Sequence, residues 1–581
     1  MSIRSSYNST SSDGPDWDLD VLIGRNVESQ LLIEVSTNPM QSTVILHGAA
    51  GSGKSSLVHS QPWNNCIVAT GKFEQHGGEP FSAWIEALNG LVDQWVVLNS
   101  MADVCRMGGF RELLDEDFIF MRNILPKAYQ AATSGCSIWT SKFAATTESK
   151  PPPKQDLCNC VNMSFIRILQ FLCKIQPVIL FLDDLHWADK ASLNVLKFLA
   201  SGAAGTKVDN LNVIVSYRDE EVTDNHPTII ALNNVKATIQ SEKPEGVEIH
   251  DVHVKDLSLD DVNLYVASIT RQDHEMTLPL STIIHQKTAG NPFFVTQFLL
   301  MLRREHFLTY SYSTFKWEWG NIERLQKAAH ISDNVADVVA SSLMSLPPAT
   351  QVAIKVASCL GKIVPLNVLV EYFEGYDEAQ AGHTCSSGLH HIKEAELRTI
   401  LETAVQRGIL LKPENSETFR WAHDKLQHIS YSLIPEKFRP SLHIKLGMLL
   451  WRMSSRSLDS EWMVFMAADQ LNRFSDDLVL GAEVAQLCLK AANLSLSKSA
   501  LWPAHEMLLS GVKHLSVKDK WTTHYELSLE LYSTLAELSI HLNKNDDALD
   551  AVKEIQQHAK TMETQVSFTM CHANSLNFRK R

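Results

Sequence analysis

No stretch of this chain approaches the roughly 20 consecutive apolar residues that a membrane-spanning helix needs, which argues against a helical integral membrane protein. The first residues, Met1 to Pro15, are rich in Ser, Asn and Thr and have no apolar core, so they read as a flexible tail rather than a secretory leader. Basic charge is in short supply: 52 Lys and Arg stand against 66 Asp and Glu, a formal net charge of −14. That balance opposes broad attachment to a nucleic-acid backbone or an anionic membrane surface, so nucleic acid is a disfavoured partner. Closely spaced cysteines are scarce too. Of ten, only Cys158 and Cys160 are near neighbours, one residue apart, where zinc motifs use roughly two to four. The expectation is reduced thiols, no structural metal and a soluble cytoplasmic protein.

Core material, by contrast, is plentiful. With 581 residues, 45% of them hydrophobic and 20% charged, the chain is too long for a single core and reads as several domains. Three short apolar runs predict buried strands: Thr43 to Leu46, Val178 to Leu182 introduced by Pro177, and Leu211 to Tyr217. Continuous apolar strands separated by helical stretches predict a parallel α/β sheet covered on both faces. The polar stretch 134–162, with Pro151, Pro152 and Pro153, reads as an exposed insertion. After Pro227 β-branched runs thin out and helical periodicity takes over. From about Leu458 the chain reads as almost wholly helical, with small residues at Ala491, Ala492, Ala500, Ala504, Ala548 and Ala551 that suggest packed helix pairs.

Gly48-Ala49-Ala50-Gly51-Ser52-Gly53-Lys54-Ser55 satisfies G-x-x-x-x-G-K-[ST] between a predicted strand and a predicted helix, the setting that a P-loop requires. The glycines let backbone N–H groups curl around a phosphate, and the following helix, which continues through Ser56, directs its positive end at the anion. Lys54 would neutralise β- and γ-phosphate oxygens, and Ser55 would ligate Mg²⁺. The second strand ends in Asp183-Asp184, a Walker B arrangement. Asp183 is expected to hold Mg²⁺ through water. Asp184 either orients the attacking water or caps a helix or pairs with a base. Arg218, at the end of the third strand, either senses the γ-phosphate or makes a structural ion pair. The expected ligands are therefore ATP or ADP with Mg²⁺, and the expected activity is ATP hydrolysis.

Taken in order, Gly24-Arg25, the P-loop, Leu182 to Asp189 (LDDLHWAD) with Ser192-Leu193, Tyr217-Arg218-Asp219, and Thr288 to Phe294 (TAGNPFF) resemble the origin-recognition-like AAA ATPase module of STAND signalling regulators. The match covers about Leu22 to Met301 and continues more loosely through Phe419 to Asp424 (FRWAHD). The resemblance implies an AAA-like core at 22–230, a small helical domain at 231–330, a winged-helix-like domain at 331–455 and a TPR-like helical region at 456–581, after a tail at 1–21. It implies that Gly24 and Arg25 lie by the adenine, that Pro292 packs on the base, and that His423, from a His-Asp pair, holds the ADP β-phosphate in a closed state. Without the resemblance, Gly290-Asn291-Pro292 is an ordinary helix stop and start, and His423 a core histidine.

The function so implied is a nucleotide-operated switch with slow turnover. Its helical region would bind a protein partner or fold back on the core, and the resemblance leaves open an oligomer that forms with nucleotide. Two rivals are a scaffold that binds ATP without hydrolysing it and a DNA-associated AAA ATPase, the latter opposed by the acidity. Phe315-Lys316-Trp317-Glu318-Trp319 lacks the neighbouring Lys and Arg of a base-stacking platform and reads as local core.

Overall fold

The computed structural model describes residues 17, 19, 21–38, 40–63, 65–75, 78–98, 154–174, 176–200, 206–242, 247–320, 335–375, 392–412, 418–456, 461–473, 481–515, 520–558 and 560. Most of the expected tail, residues 134–153 of the expected insertion, and the C-terminal Arg579, Lys580 and Arg581 lie outside them, as do the side chains of Cys158 and Cys160.

Helix α1 (Asn26–Thr37) leads into a parallel sheet of five strands, β1 (Gln41–Gly48), β2 (Ile67–Lys72), β3 (Val178–Asp183), β4 (Leu211–Arg218) and β5 (Val247–His253), in the order β2-β3-β4-β1-β5. The three strands expected from apolar runs are the three central ones. Successive side chains of a strand serve opposite faces: Val44 and Leu46 pack with Leu32, Leu57 and Phe181, while Ile45 joins Trp84, Phe165, Leu180 and Val213. The first face is covered by α1 and α2 (Lys54–His59). The second is covered by α3 (Ser82–Leu98), α4 (Lys154–Cys173) and α5 (Lys190–Ala200), and α6 (Pro227–Glu242) follows β4.

Two expectations are corrected here. The core does not end at 230, because β5 pairs with β1 over residues 247–253. As an edge strand it keeps polar side chains along its length, so no apolar run marks it. Residues 154–162 are likewise not an irregular insertion but the first half of α4.

A small helical unit comes next: α7 (Leu259–Thr270), α8 (His274–Thr288), α9 (Pro292–Arg304) and the hairpin β6 (Leu308–Ser311) and β7 (Lys316–Trp319). Trp317 is buried in it, which favours the core reading of the aromatic cluster. Trp17 meets Trp317 edge-on at 5.1 Å, and Leu19 packs nearby, so this part of the expected tail is docked. Helices α10 (Val335–Met344), α11 (Pro348–Ser358), α12 (Leu366–Glu374), α13 (Glu394–Gln406) and α14 (Asp424–Ser432) accompany a small antiparallel sheet of β8 (Ile363–Pro365), β9 (Leu410–Leu411) and β10 (Thr418–Trp421), an arrangement that fits the winged-helix-like expectation.

The remainder is helical: α15 (Arg439–Ser454), α16 (Glu461–Asn472), α17 (Gly481–Ser497), α18 (Leu501–His514), α19 (Lys520–Thr523), α20 (Tyr525–His541) and α21 (Asn545–His558). The alanines singled out in the sequence are all buried between these helices or against the core. This arm folds back onto the sheet-bearing core: Ala500 joins the apolar cluster on one face of the sheet, Lys498 donates to Glu79, and Lys190 pairs with Glu506 at 2.6 Å.

Candidate nucleotide site

The P-loop leaves the end of β1 as a tight curve. Gly51 and Gly53 have φ of 84° and 93°, backbone that a side-chain-bearing residue would strain to adopt. A Cβ at Gly51 would stand 2.8 Å from Asn291 Oδ1 and 2.9 Å from Phe293 Cβ, so the GNPFF segment lies directly against the loop. Two hydrogen bonds hold it there: Asn291 Nδ2 donates to the Ala50 carbonyl (3.2 Å) and the Phe293 N–H to the Gly51 carbonyl (3.3 Å). Pro292 opens α9, its Cγ 4.0 Å from where a Cβ on Gly53 would be. Behind the loop, the buried Arg25 guanidinium donates to the Ser52 and Lys255 carbonyls at 2.9 and 2.5 Å. Gly24 has φ 71° and is pressed against the Asp261 carboxylate. Arg25 thus meets the P-loop through its side chain, a contact the resemblance did not imply.

Lys54 Nζ donates to the Gly48 and Ala49 carbonyls at 2.8 and 2.9 Å, and burial pulls its pKa down. Ser55 Oγ donates to Asp183 at 2.8 Å, and Ser216, on the intervening β4, donates to the other carboxylate oxygen. Burial pushes the Asp183 carboxyl up, but Lys72 and the two serine hydroxyls outweigh it and hold its pKa below the usual range. Ser56 is exposed on α2, one residue beyond this contact.

Asp184 has φ 56° and forms a fork with Arg218, whose Nε and Nη2 donate to it at 3.0 and 3.1 Å. Lys72, at the end of β2, adds a bond of 2.9 Å to the same carboxylate. In this state the ion-pair alternative is therefore realised for both Asp184 and Arg218. Both cations then reach across to the start of α14, where Asp424 accepts from Lys72 at 2.6 Å and from Arg218 at 2.8 Å. Burial opposes charge on all three groups, but the surrounding opposite charges prevail: Lys72 and Arg218 are raised and Asp424 is lowered. Arg218 also donates to Glu221 and lies over the Trp187 ring at 4.4 Å.

His423 lies beside these groups without joining them. Its ring stacks on Phe293 at 4.1 Å and its Nδ1 accepts the Lys425 N–H that begins α14. Burial, with the nearby Lys72 and Arg218 opposing a further positive charge, lowers its pKa to about 4. It is therefore neutral at pH 7.

Lys72 and Asp424 were missed from sequence, as was Glu220, whose carboxylate accepts the Ala50 N–H at 2.8 Å. Asp424 could have been found, since it is the second half of the His-Asp string. Lys72 ends a strand whose burial alternates although its sequence, Ile67 to Lys72, does not, and nothing marked Glu220.

These residues fit a phosphate group and Mg²⁺. Ser52 Oγ is buried in the loop without a hydrogen-bond partner among the described residues. The curve of the loop depends on missing Cβ atoms, and Ser55 with Asp183 presents the hard oxygen donors that Mg²⁺ prefers.

Residues 21–215 match the family model described as AAA ATPase domain. Hybrid signal transduction histidine kinase G of Dictyostelium discoideum is 25% identical over an alignment of 390 residues that covers 56% of this chain and 11% of that protein. The chain thus spans about a tenth of that relative's length. Similar solved structures include a signal transduction ATPase with numerous domains (STAND) protein with a tetratricopeptide repeat sensor from Pyrococcus horikoshii, at 13% identity and TM-score 0.39 over 98% of this chain and 69% of that one. Another is the Aeropyrum pernix ORC2 protein in ADPNP–ADP complexes, at 12% identity and TM-score 0.30 over 75% of this chain and 98% of that one. The matched residues 21–215 contain the P-loop, Asp183 and Asp184.

Proposed function

We propose that this chain is a nucleotide-operated regulatory switch that binds Mg-ATP at the P-loop, hydrolyses it slowly and couples its nucleotide state to contacts of the C-terminal helices with a protein partner in intracellular signalling. The observation that carries this reading is the shared hold on Lys72 and Arg218. Both cations stand at the strand ends beside the P-loop, yet both are bound by Asp424 of the following helical unit.

An anionic phosphate arriving at the loop competes with the Asp424 carboxylate for the same positive charges, so binding and domain closure are linked. The linkage is as large as the difference in phosphate affinity between the closed and open arrangements, and no larger. In this reading the loop N–H groups and Lys54 receive the β-phosphate, with Lys54 exchanging its present loop carbonyls for it. Ser55 and Asp183 hold Mg²⁺, which neutralises phosphate charge. Pro292 flanks the base, Gly24 and Arg25 brace the loop by the adenine, and Arg218 responds to the γ-phosphate once released from Asp424. His423, neutral, offers a hydrogen bond rather than a charge. Residues 22–253 act as the core, with α7–α9, α10–α14 and α15–α21 as moving parts.

A second reading, a scaffold that binds ATP without turnover, is favoured by the engagement of Asp184 with two cations, which between them contact both of its carboxylate oxygens in this state.

The test is nucleotide binding and phosphate release by the purified chain. ATP binding that Lys54→Ala abolishes, with release that Asp184→Asn abolishes while sparing binding, supports the switch. Binding with no release in the wild type supports the scaffold, and no binding by the wild type overturns both.

A further inference from the structure

Beside the P-loop, but facing away from the Asp183 cluster, three neighbouring strands end in side chains suited to a transition metal. The register sets His47 of β1 level with His253 of β5 on one side and Tyr217 of β4 on the other. Level residues of neighbouring strands share a face of the sheet, and the rings form a ladder: Tyr217 to His47 at 5.5 Å and His47 to His253 at 4.8 Å. Asp219, the first residue after β4, turns its carboxylate into this ladder. One oxygen lies 3.0 Å from His47 Nδ1 and the other 3.5 Å from His253 Nε2. The far nitrogen of His47 faces Asp251 at 3.5 Å.

We propose that His47, His253 and Asp219 form a binding site for a divalent transition-metal ion of the zinc type, with Asp251 orienting His47 from behind. Zinc bonds to nitrogen and oxygen are about 2.0–2.2 Å, so tetrahedral donors stand roughly 3.3 Å apart. Each Asp219 oxygen stands near that spacing from one imidazole, 3.0 Å to His47 and 3.5 Å to His253, and one donor atom from each of the three residues lies within 4.8 Å of the other two. Two imidazoles and one carboxylate select zinc, copper or nickel over Mg²⁺, so this site and the Ser55–Asp183 pair would not compete for the same ion. Asp251 stands where histidine ligands of metals receive a carboxylate on their second nitrogen, which fixes the tautomer and raises the donor strength of the first.

One rearrangement is required. The two rings are within 5° of parallel, and stacked rings cannot both hold a single ion in their planes. His253, 49% exposed, is the one free to turn.

The ligands also bear on the P-loop. His47 immediately precedes Gly48, and Asp219 immediately precedes Glu220, which holds the Ala50 N–H. An ion here ties β1, β4 and β5 together at the base of the loop.

The test titrates the full chain, without nucleotide, with Zn²⁺ against a chromogenic chelator and with Co²⁺ in the visible. His253→Ala, Asp219→Asn and Asp251→Asn are measured alongside. The first two are surface substitutions that remove ligands and should each lower Zn²⁺ affinity by more than about tenfold and abolish the Co²⁺ bands, while Asp251→Asn should lower affinity by roughly 10–100-fold. Cysteines and other adventitious donors contribute equally to all four proteins, so equal affinity and equal Co²⁺ spectra across the series overturn the site. So does a loss confined to the aspartate variants, because the assignment requires the imidazole of His253.

Discussion

Two of the seams between the sheet-bearing core and the helical part of the chain are closed by lysine on carboxylate. At the first, Lys72 and Arg218 hold Asp424 next to the P-loop, in a network shared with Asp183 and Asp184. At the second, Lys498 of the arm pairs with Glu79 of the core and Glu461, Ala500 is fully buried beneath the sheet, and Lys190 and Glu506 form an exposed pair. The difference lies in what can displace the bond. In the proposed switch a phosphate takes the place of Asp424, because the cations that hold it stand beside the phosphate loop. Nothing anionic arriving at the P-loop can take the place of Ala500, whose hold is apolar contact. On the proposed function, the first seam is the one that responds to ligand, and the second carries the arm along with the core.

Asp424→Asn should have the largest effect. It leaves Lys72 and Arg218 short of one carboxylate in a mostly buried site, where breaking such a contact costs about 3 kcal/mol. Chemical denaturation should register that loss. Nucleotide affinity should move the other way, rising severalfold as a competitor disappears, where a change of about 1 kcal/mol is about fivefold. A denaturation change without a gain in affinity would mean that Asp424 is merely structural, and the contrast between the seams would collapse.

Ala500→Leu probes the second seam. Added methylenes in a packed interior typically cost 1–3 kcal/mol, about 2 here, again read by denaturation. Nucleotide affinity should stay within twofold of the wild type. An affinity change as large as that expected from Asp424→Asn would show that the arm contact is itself read by the site.

How far these seams were legible in the sequence depended on the range of the interactions. β1, β3 and β4 announce themselves because strands buried on both faces carry continuous apolar runs. The P-loop does so because a phosphate cradle needs glycines at fixed spacing. β2 and β5 lie at the edges, and β5 was taken for part of a helical stretch because edge strands keep polar residues. The Lys72–Asp424 bond joins residues 352 apart, and no local pattern encodes a partner at that distance. His423 drew attention through the family string, while the structure gives the direct ionic contacts to its neighbour.

His423 supplies a pH test of the first seam. Its folded pKa is about 4, whereas an unfolded histidine titrates near 6.5. Between those values the unfolded chain binds a proton that the folded chain refuses. The contribution is therefore fully present above about pH 6.5 and is lost as pH falls towards 4, by about 2 kcal/mol after discounting for the ring's partial exposure. His423→Gln should flatten the stability profile over that window. An unchanged acid slope would mean that the ring is open enough to protonate in the folded state.

The weakest contact should be the exposed rim of the second seam. Lys190 and Glu506 are 46% and 55% exposed, and water and salt screen such a pair almost completely. Lys190 also lies 5.3 Å from the centre of the Trp502 ring, which adds a little attraction to the arm. Lys190→Ala should cost less than about 1 kcal/mol in denaturation, and raising the salt concentration should shrink the difference further. If it cost as much as Ala500→Leu, the arm would be held mainly by charge, and the two seams would differ in location rather than in kind.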